Sequence, residues 1–120
     1  MKITVLYIED NDINTLVVKR MLGQGNIELL NVPTAEEGLE LAKNRHLNLI
    51  LMDIGLPGMD GLTATRQLKA DPQLRNIPVI AVTGYEDRKE ECFAAGCEDC
   101  LIKPITRAKL LIACQRYGVY

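Results

Sequence analysis

The chain has 120 residues, which is the size of one ordinary domain. Of these residues 48% are hydrophobic and 25% are charged, a composition typical of a globular fold with a single core. The formal net charge of −2 argues against a nucleic-acid-binding protein. No apolar run approaches the roughly 20 residues that span a bilayer, and the N-terminal residues do not resemble a signal peptide. We therefore expect a cytoplasmic protein with reduced cysteines and no membrane insertion.

Short apolar runs alternate with longer amphipathic stretches along the chain. The runs 3–8, 27–32, 49–52, 78–82 and 100–102 are predicted to be buried strands. A helix is predicted after each strand. The first helix has an apolar stripe at the spacing of a core-facing surface, formed by Ile13, Leu16, Val17 and Met21. The alternation predicts an α/β protein, with a five-stranded parallel sheet covered by helices on both faces and residues 1–120 in one domain.

Local signals mark where the predicted helices begin and end. The residues predicted to cap helix starts are a polar cluster at 9–12, Thr34 with Glu37 as a capping box, Asp60 and Thr106. The residues predicted to end helices are Gly23, Gly25, Asp71 with Pro72, Gly96 and Gly118. A turn is expected at Leu56, Pro57 and Gly58.

Polar side chains follow four of the predicted strands, at the point where each strand ends. These residues are Glu9 and Asp10, Asp53, Thr83, and Lys103. Because the carboxyl ends of parallel strands meet at one edge of the sheet, we expect these side chains to converge. Clustered carboxylates repel one another, and a hard cation such as Mg²⁺ relieves that repulsion. A carboxylate nucleophile beside a metal, a lysine and a hydroxyl suits phosphoryl transfer.

Four segments, YIEDNDIN, LILMDIGLPGMDG, PVIAVTG and CLIKPI, resemble the signature segments of response-regulator receiver domains, the CheY-like family. The resemblance covers nearly the whole chain and implies a flavodoxin-like, doubly wound (βα)5 fold. It implies that Asp53 accepts a phosphoryl group that Thr83 and Lys103 then contact. It implies Mg²⁺ as cofactor, with the ligands Glu9, Asp10, Asp53 and the backbone carbonyl of Gly55. It also implies a cis peptide bond before Pro104.

The resemblance implies partners as well as chemistry. A histidine kinase or histidine phosphotransfer protein is expected to donate the phosphoryl group, and a downstream protein target to bind the face of the C-terminal helices. The chain should promote its own phosphorylation and dephosphorylation without turning over a separate substrate. One position departs from the family pattern, since Cys100 stands three residues before the lysine, where an aromatic side chain is usual. Tyr85 is a hypothetical substitute in the switching movement.

Three other functions compete with this interpretation. A phosphorylation-independent pseudo-receiver is the main alternative, and Cys100 keeps it open. An aspartyl-phosphate phosphatase is disfavoured because Gly55 stands where a general acid is needed, and a flavodoxin-type carrier because Glu9 and Asp10 would repel the flavin phosphate. The Cys97–Cys100 pair is interpreted as packing, and the basic residues Arg88, Lys89, Arg107 and Lys109 as solvated helix faces. The sequence leaves open whether this domain is one part of a larger protein.

Overall fold

The computed structural model describes residues 2–23, 26–56 and 59–118 of the chain. Within these residues five strands alternate with five α-helices, and a short 3₁₀ turn, Glu86–Arg88, precedes the fourth helix. The elements are β1 Ile3–Ile8, α1 Asp12–Leu22, β2 Ile27–Val32, α2 Ala35–Asn44, β3 Leu49–Asp53, α3 Gly61–Ala70, β4 Val79–Thr83, α4 Lys89–Ala95, β5 Asp99–Ile102 and α5 Arg107–Arg116. The predicted strands are all present, with bounds that differ by at most one residue.

The five strands form one parallel sheet in the order β2-β1-β3-β4-β5. This is the flavodoxin-like order of a doubly wound fold, which confirms the predicted class. The strand order reverses between β1 and β3. In such sheets a crevice opens at the carboxyl ends of the strands where the order reverses. The fold therefore places the ends of β1 and β3 beside each other at the expected site.

Two hydrophobic cores lie on opposite faces of the sheet. One packs α2, α3 and α4 on the sheet, and the other packs α1 and α5. Side chains alternate between the cores along each strand. In β1, for example, Leu6 and Ile8 belong to the first core, whereas Val5 and Tyr7 belong to the second. Because both faces are covered, β3 and β4 are buried throughout and β1 is buried from Thr4 onward, and this explains their continuous apolar runs.

Side-chain caps start four of the helices as the sequence predicts. Asn11, Thr34, Asp60 and Thr106 each accept a hydrogen bond from the backbone N–H three residues later. At the end of α4, Gly96 adopts a φ of 110°, a left-handed conformation that favours glycine. The predicted helix stop at Gly25 and the turn at Pro57 and Gly58 lie outside the described residues.

The predicted core-facing stripe of α1 is wrong at three of its four residues, and the fourth, Met21, is partly buried against the second core. Ile13, Leu16 and Val17 are 72%, 48% and 43% exposed, whereas Val18 and Leu22 are buried. Residues four apart share one side of a helix, so α1 packs on the sheet mainly through positions 18 and 22 and turns Ile13, Leu16 and Val17 outward. Both sides of this helix are apolar, and helical spacing alone could not decide which side faces the core. None of the described helices has both the length and the apolar character needed to cross a membrane.

Candidate functional site

Asp53 is the last residue of β3 and lies at the centre of the predicted site. Lys103, which follows β5, donates a hydrogen bond from Nζ to Asp53 Oδ2 at 3.0 Å. The same Nζ lies 3.8 Å from Glu9 Oε1, at the end of β1. The backbone N–H of Gly55 donates to Asp53 Oδ1 at 2.9 Å. Three strand ends therefore meet at this carboxylate, as predicted. The Lys103–Pro104 peptide bond is cis, as the family resemblance implied.

Glu9 is almost completely buried and is held by two donors that follow it in the chain. Asn14 Nδ2 donates to Glu9 Oε1 at 2.6 Å, and the Asp10 backbone N–H donates to Glu9 Oε2 at 3.1 Å. Sequence analysis did not single out Asn14. Its place in the first turn of α1, five residues after Glu9, is a signal that could have identified it.

The pKa values at the site reflect burial of two acidic groups beside one lysine. Burial, and then the contact with Asp53, raise the pKa of Glu9 to about 7. Burial also acts on Asp53, but hydrogen bonds from Glu9, Gly55 and Lys103 outweigh it and hold the pKa of Asp53 below its ordinary value. Burial opposes the charge of Lys103, yet its hydrogen bond to Asp53 raises the pKa of the lysine. The charged form is therefore favoured more strongly at Asp53 than at Glu9.

A cavity of about 380 Å³ opens beside Asp53 and Lys103. Thr83, at the end of β4, lines it, and the Thr83 Oγ1 accepts a hydrogen bond from the Tyr85 backbone N–H at 3.1 Å. The remaining lining residues are Gly55, Gly84, Tyr85 and Arg88. The Tyr85 side chain is 68% exposed, and its proposed part in switching stays a hypothesis. Arg88 was interpreted as a solvated surface residue, and no local pattern pointed to this cavity.

The structure does not bring Asp10 into the cluster of Glu9 and Asp53. Asp10 is exposed, and no three acidic, histidine or cysteine side chains of the described residues are arranged to hold a metal ion. The two buried carboxylates nevertheless offer hard oxygen donors, and Lys103 is the cation within 4 Å of both of them. This donor set suits a divalent ion such as Mg²⁺, which would offset the remaining negative charge.

All four cysteines are buried and unpaired. Cys100 Sγ lies 3.8 Å from Cys92 Sγ, and Cys97 Sγ lies 3.8 Å from Thr65 Oγ1. The thiols of Cys92, Cys97 and Cys100 therefore fill the core between the sheet, α3 and α4. Burial raises the pKa of Cys97 to about 11 and that of Cys100 to about 12. Neutral, buried thiols are poor nucleophiles and metal ligands, in agreement with the interpretation of the CxxC pattern as packing.

Comparison with known proteins gives the same family throughout. Residues 5–115 match the sequence model of the family described as "Response regulator receiver domain". The polar-differentiation response regulator DivK of Brucella ovis is 36% identical over 116 residues, which cover 95% of this chain and 94% of that protein. The homologue from Brucella anthropi is 35% identical over the same length.

Solved structures with the same fold include receivers of two kinds. The receiver domain of the sensor histidine kinase PA1611 from Pseudomonas aeruginosa has a magnesium ion coordinated in its active-site cleft. It is 34% identical, with a TM-score of 0.88 and 98% of each chain covered. The receiver domain of the Saccharomyces cerevisiae response regulator Ssk1, solved with the histidine phosphotransfer protein Ypd1, is matched at 26% identity with a TM-score of 0.88. That match covers 98% of this chain and 88% of the other.

Proposed function

Because the chain belongs to the family of response regulator receiver domains, we propose that Asp53 accepts the phosphoryl group in a two-component phosphorelay. The observation that carries this proposal is the position of the Asp53 carboxylate, bound by Lys103 Nζ and the Gly55 N–H at the mouth of a cavity. We also propose that residues 1–120 form one receiver domain. A phosphorylation-independent role is not favoured.

The residues of the site support in-line attack by Asp53. Its lowered pKa keeps the carboxylate ionised, and one oxygen forms the bond to phosphorus while the bond between phosphorus and the donor imidazole nitrogen breaks. Lys103 then pairs with the added phosphoryl oxygens. The hydroxyl of Thr83, on the wall of the same cavity, donates to them. The chain would take up and lose this group without turning over a separate substrate.

We further propose that Glu9, Asp53, the Gly55 carbonyl oxygen and, by movement or through water, Asp10 hold Mg²⁺. Carboxylate and carbonyl oxygens are the ligands that Mg²⁺ prefers. When bound, the ion would neutralise charge on the transferring phosphoryl oxygens. The support within this chain is the buried pair of Glu9 and Asp53, whose combined charge exceeds that of the single neighbouring lysine.

Exposed apolar residues beside the site support the proposal that other proteins bind there. A groove of about 420 Å³ lies between α1 and the segment that joins β5 to α5, and it is lined by Tyr7, Asn14, Val17, Lys103, Pro104 and Ile105. We propose that a histidine kinase or phosphotransfer protein docks there. We propose that the downstream target binds the C-terminal helices, where Phe93 and Ile112 are exposed. The cytoplasmic location expected from the sequence stays a prediction.

The phosphoacceptor is tested by intact-mass spectrometry after incubation with acetyl phosphate, with and without Mg²⁺. We expect the wild-type protein to gain one phosphoryl group only with Mg²⁺, and Asp53→Asn to gain none. Asp87→Asn is the matched control, because Asp87 is an exposed aspartate in the turn before α4, and it should behave as wild type. If wild type binds Mg²⁺ but gains no phosphoryl group, the pseudo-receiver interpretation replaces this one.

A further inference from the structure

Two cationic side chains line the cavity beside Asp53, and the mechanism above uses only Lys103. The second is Arg88, the last residue of the 3₁₀ turn that leads directly into α4. Its side chain is partly buried, which places the guanidinium neither in the core nor fully in solvent. Arg88 therefore lies between the predicted site of phosphorylation and α4, one of the helices proposed to bind the downstream target.

The ion pair that Arg88 forms in this structure is weak. Arg88 Nε donates to Glu91 Oε2 at 3.1 Å, an ion pair three residues apart on the outer side of α4, in which the Glu91 side chain is largely exposed. Exposed pairs of this kind contribute little to stability, because solvent screens both charges. A stronger anion in the cavity would therefore draw the guanidinium away from Glu91.

A phosphoryl group on Asp53 would be such an anion. It brings between one and two negative charges and several acceptor oxygens into a cavity where Lys103 Nζ is already shared between Asp53 and Glu9. The planar guanidinium can donate two parallel hydrogen bonds to phosphate oxygens, which a lysine cannot. Among the described residues that line the cavity, Arg88 and Lys103 are the ones with positive charge.

We propose that Arg88 binds the phosphoryl group on Asp53, releases Glu91, and draws the start of α4 toward the site. The proposal rests on the proposed function of Asp53. It gives the phosphorylated state a direct connection to α4 where the usual aromatic residue is absent. Cys100, at that position, is buried against Cys92 and lacks a ring that could change its rotamer.

The test measures the affinity of each variant for beryllofluoride, a non-covalent phosphoryl mimic, at saturating Mg²⁺ by isothermal titration calorimetry. We expect Arg88→Gln to weaken binding about fivefold to tenfold, and Arg88→Lys to recover part of that loss. Glu91→Gln should tighten binding about twofold or more, because it frees the guanidinium. The affinity for Mg²⁺ alone should be unchanged in all three variants. Beryllofluoride binding should also change the NMR chemical shifts of the backbone amides of residues 89–95, and these changes should be smaller in Arg88→Gln than in wild type.

The opposite effects of Arg88→Gln and Glu91→Gln distinguish this role from a structural one. If the ion pair merely stabilised the start of α4, both substitutions would weaken binding, and that result would overturn the proposal. Wild-type affinity in Arg88→Gln would overturn it as well, while leaving Asp53 as phosphoacceptor. If wild type itself failed to bind beryllofluoride, both this proposal and the proposed function would fall.

Discussion

At the residue scale, Glu9 shows how burial changes the chemistry of a carboxylate. Its carboxylate is almost inaccessible, accepts hydrogen bonds from Asn14 and the Asp10 N–H, and lies near Asp53. Burying a carboxylate next to another one costs stability unless a positive charge offsets it. Lys103 is shared between the two acids, so the compensation is incomplete without a further cation.

The raised pKa of Glu9 predicts a pH-dependent cost of folding in Mg²⁺-free buffer. Below pH 4.5, the ordinary value, Glu9 is protonated in both states. As the pH rises to about 7 the unfolded chain releases this proton and the folded chain retains it, so wild type loses stability relative to Glu9→Gln. Glu9→Gln should be more stable by roughly 1 to 3 kcal/mol at pH 8 and equal at pH 4. Urea unfolding with a chelator present measures both values.

Two controls accompany this measurement. Glu90→Gln changes an exposed carboxylate on α4 and should follow wild type at both pH values. Saturating Mg²⁺ should raise the stability of wild type at pH 8 and have little effect on Glu9→Gln, since a ligand that binds only the folded state stabilises it. Parallel stability curves for wild type and Glu9→Gln would show that the burial of Glu9 carries no electrostatic cost.

At the scale of elements, α1 carries apolar residues on both of its sides. Val18 and Leu22 pack in the core shared with α5, while Ile13, Leu16 and Val17 remain in solvent. An apolar surface of this kind, beside polar groups, is typical of an interaction site. Its position next to the groove that reaches Lys103 supports docking of the phosphodonor on α1.

We expect Val17→Ser to slow phosphoryl transfer from a kinase or phosphotransfer protein that phosphorylates wild type by about tenfold. Transfer from acetyl phosphate should be unchanged, because Asp53 and its neighbours are intact. Removing one apolar contact at a docking surface costs about 1 to 2 kcal/mol, which corresponds to roughly this factor. Rapid-quench kinetics with both donors would measure the two rates.

Phe93→Ser is the control for the position of this surface. It removes an exposed apolar side chain of similar accessibility from α4, on the face proposed for the downstream target. Transfer from the protein donor should remain at the wild-type rate. Equal slowing by Phe93→Ser and Val17→Ser would place the donor elsewhere, or show that both helices contribute to docking.

At the scale of the whole molecule, one sheet joins two cores. Each strand contributes alternate side chains to both faces, so neither core can lose its order without exposing strand residues of the other. Tyr117, which packs against the core of α1 and α5, adds a further connection, because its hydroxyl donates to the Glu98 carbonyl oxygen at 2.6 Å and the Glu98 side chain pairs with Lys69 of α3. We expect the chain to unfold in one cooperative step.

Leu68→Ala and Leu110→Ala test this cooperativity from opposite faces. Leu68 is buried in the core of α2, α3 and α4, and Leu110 in the core of α1 and α5. Each substitution should destabilise the protein by about 2 to 5 kcal/mol. In both variants, far-UV circular dichroism and tyrosine fluorescence should report the same urea midpoint. Separate midpoints in either variant would mean that the two cores unfold independently.

Much of this fold is predictable because its signals are local. The signals are apolar runs of three to six residues, capping side chains such as Thr34 and Asp60, and the left-handed Gly96. Each of them determines the structure of residues close to it in the chain, and the predicted elements agree closely with the structure. The convergence of Glu9, Asp53 and Lys103 also follows from the sequence, since the ends of parallel strands must meet at one edge of the sheet.

The sequence by itself thus determined the order of elements, the parallel sheet and the strand-end residues of the site. Only the tertiary structure decided which side of α1 is buried, that Asn14 binds Glu9, and that Arg88 lines the cavity beside Asp53. The physical reason is that these features depend on how a helix is rotated against the sheet and on how a turn is placed above it. Both are set by packing between residues distant in the chain, and short-range patterns do not encode that packing.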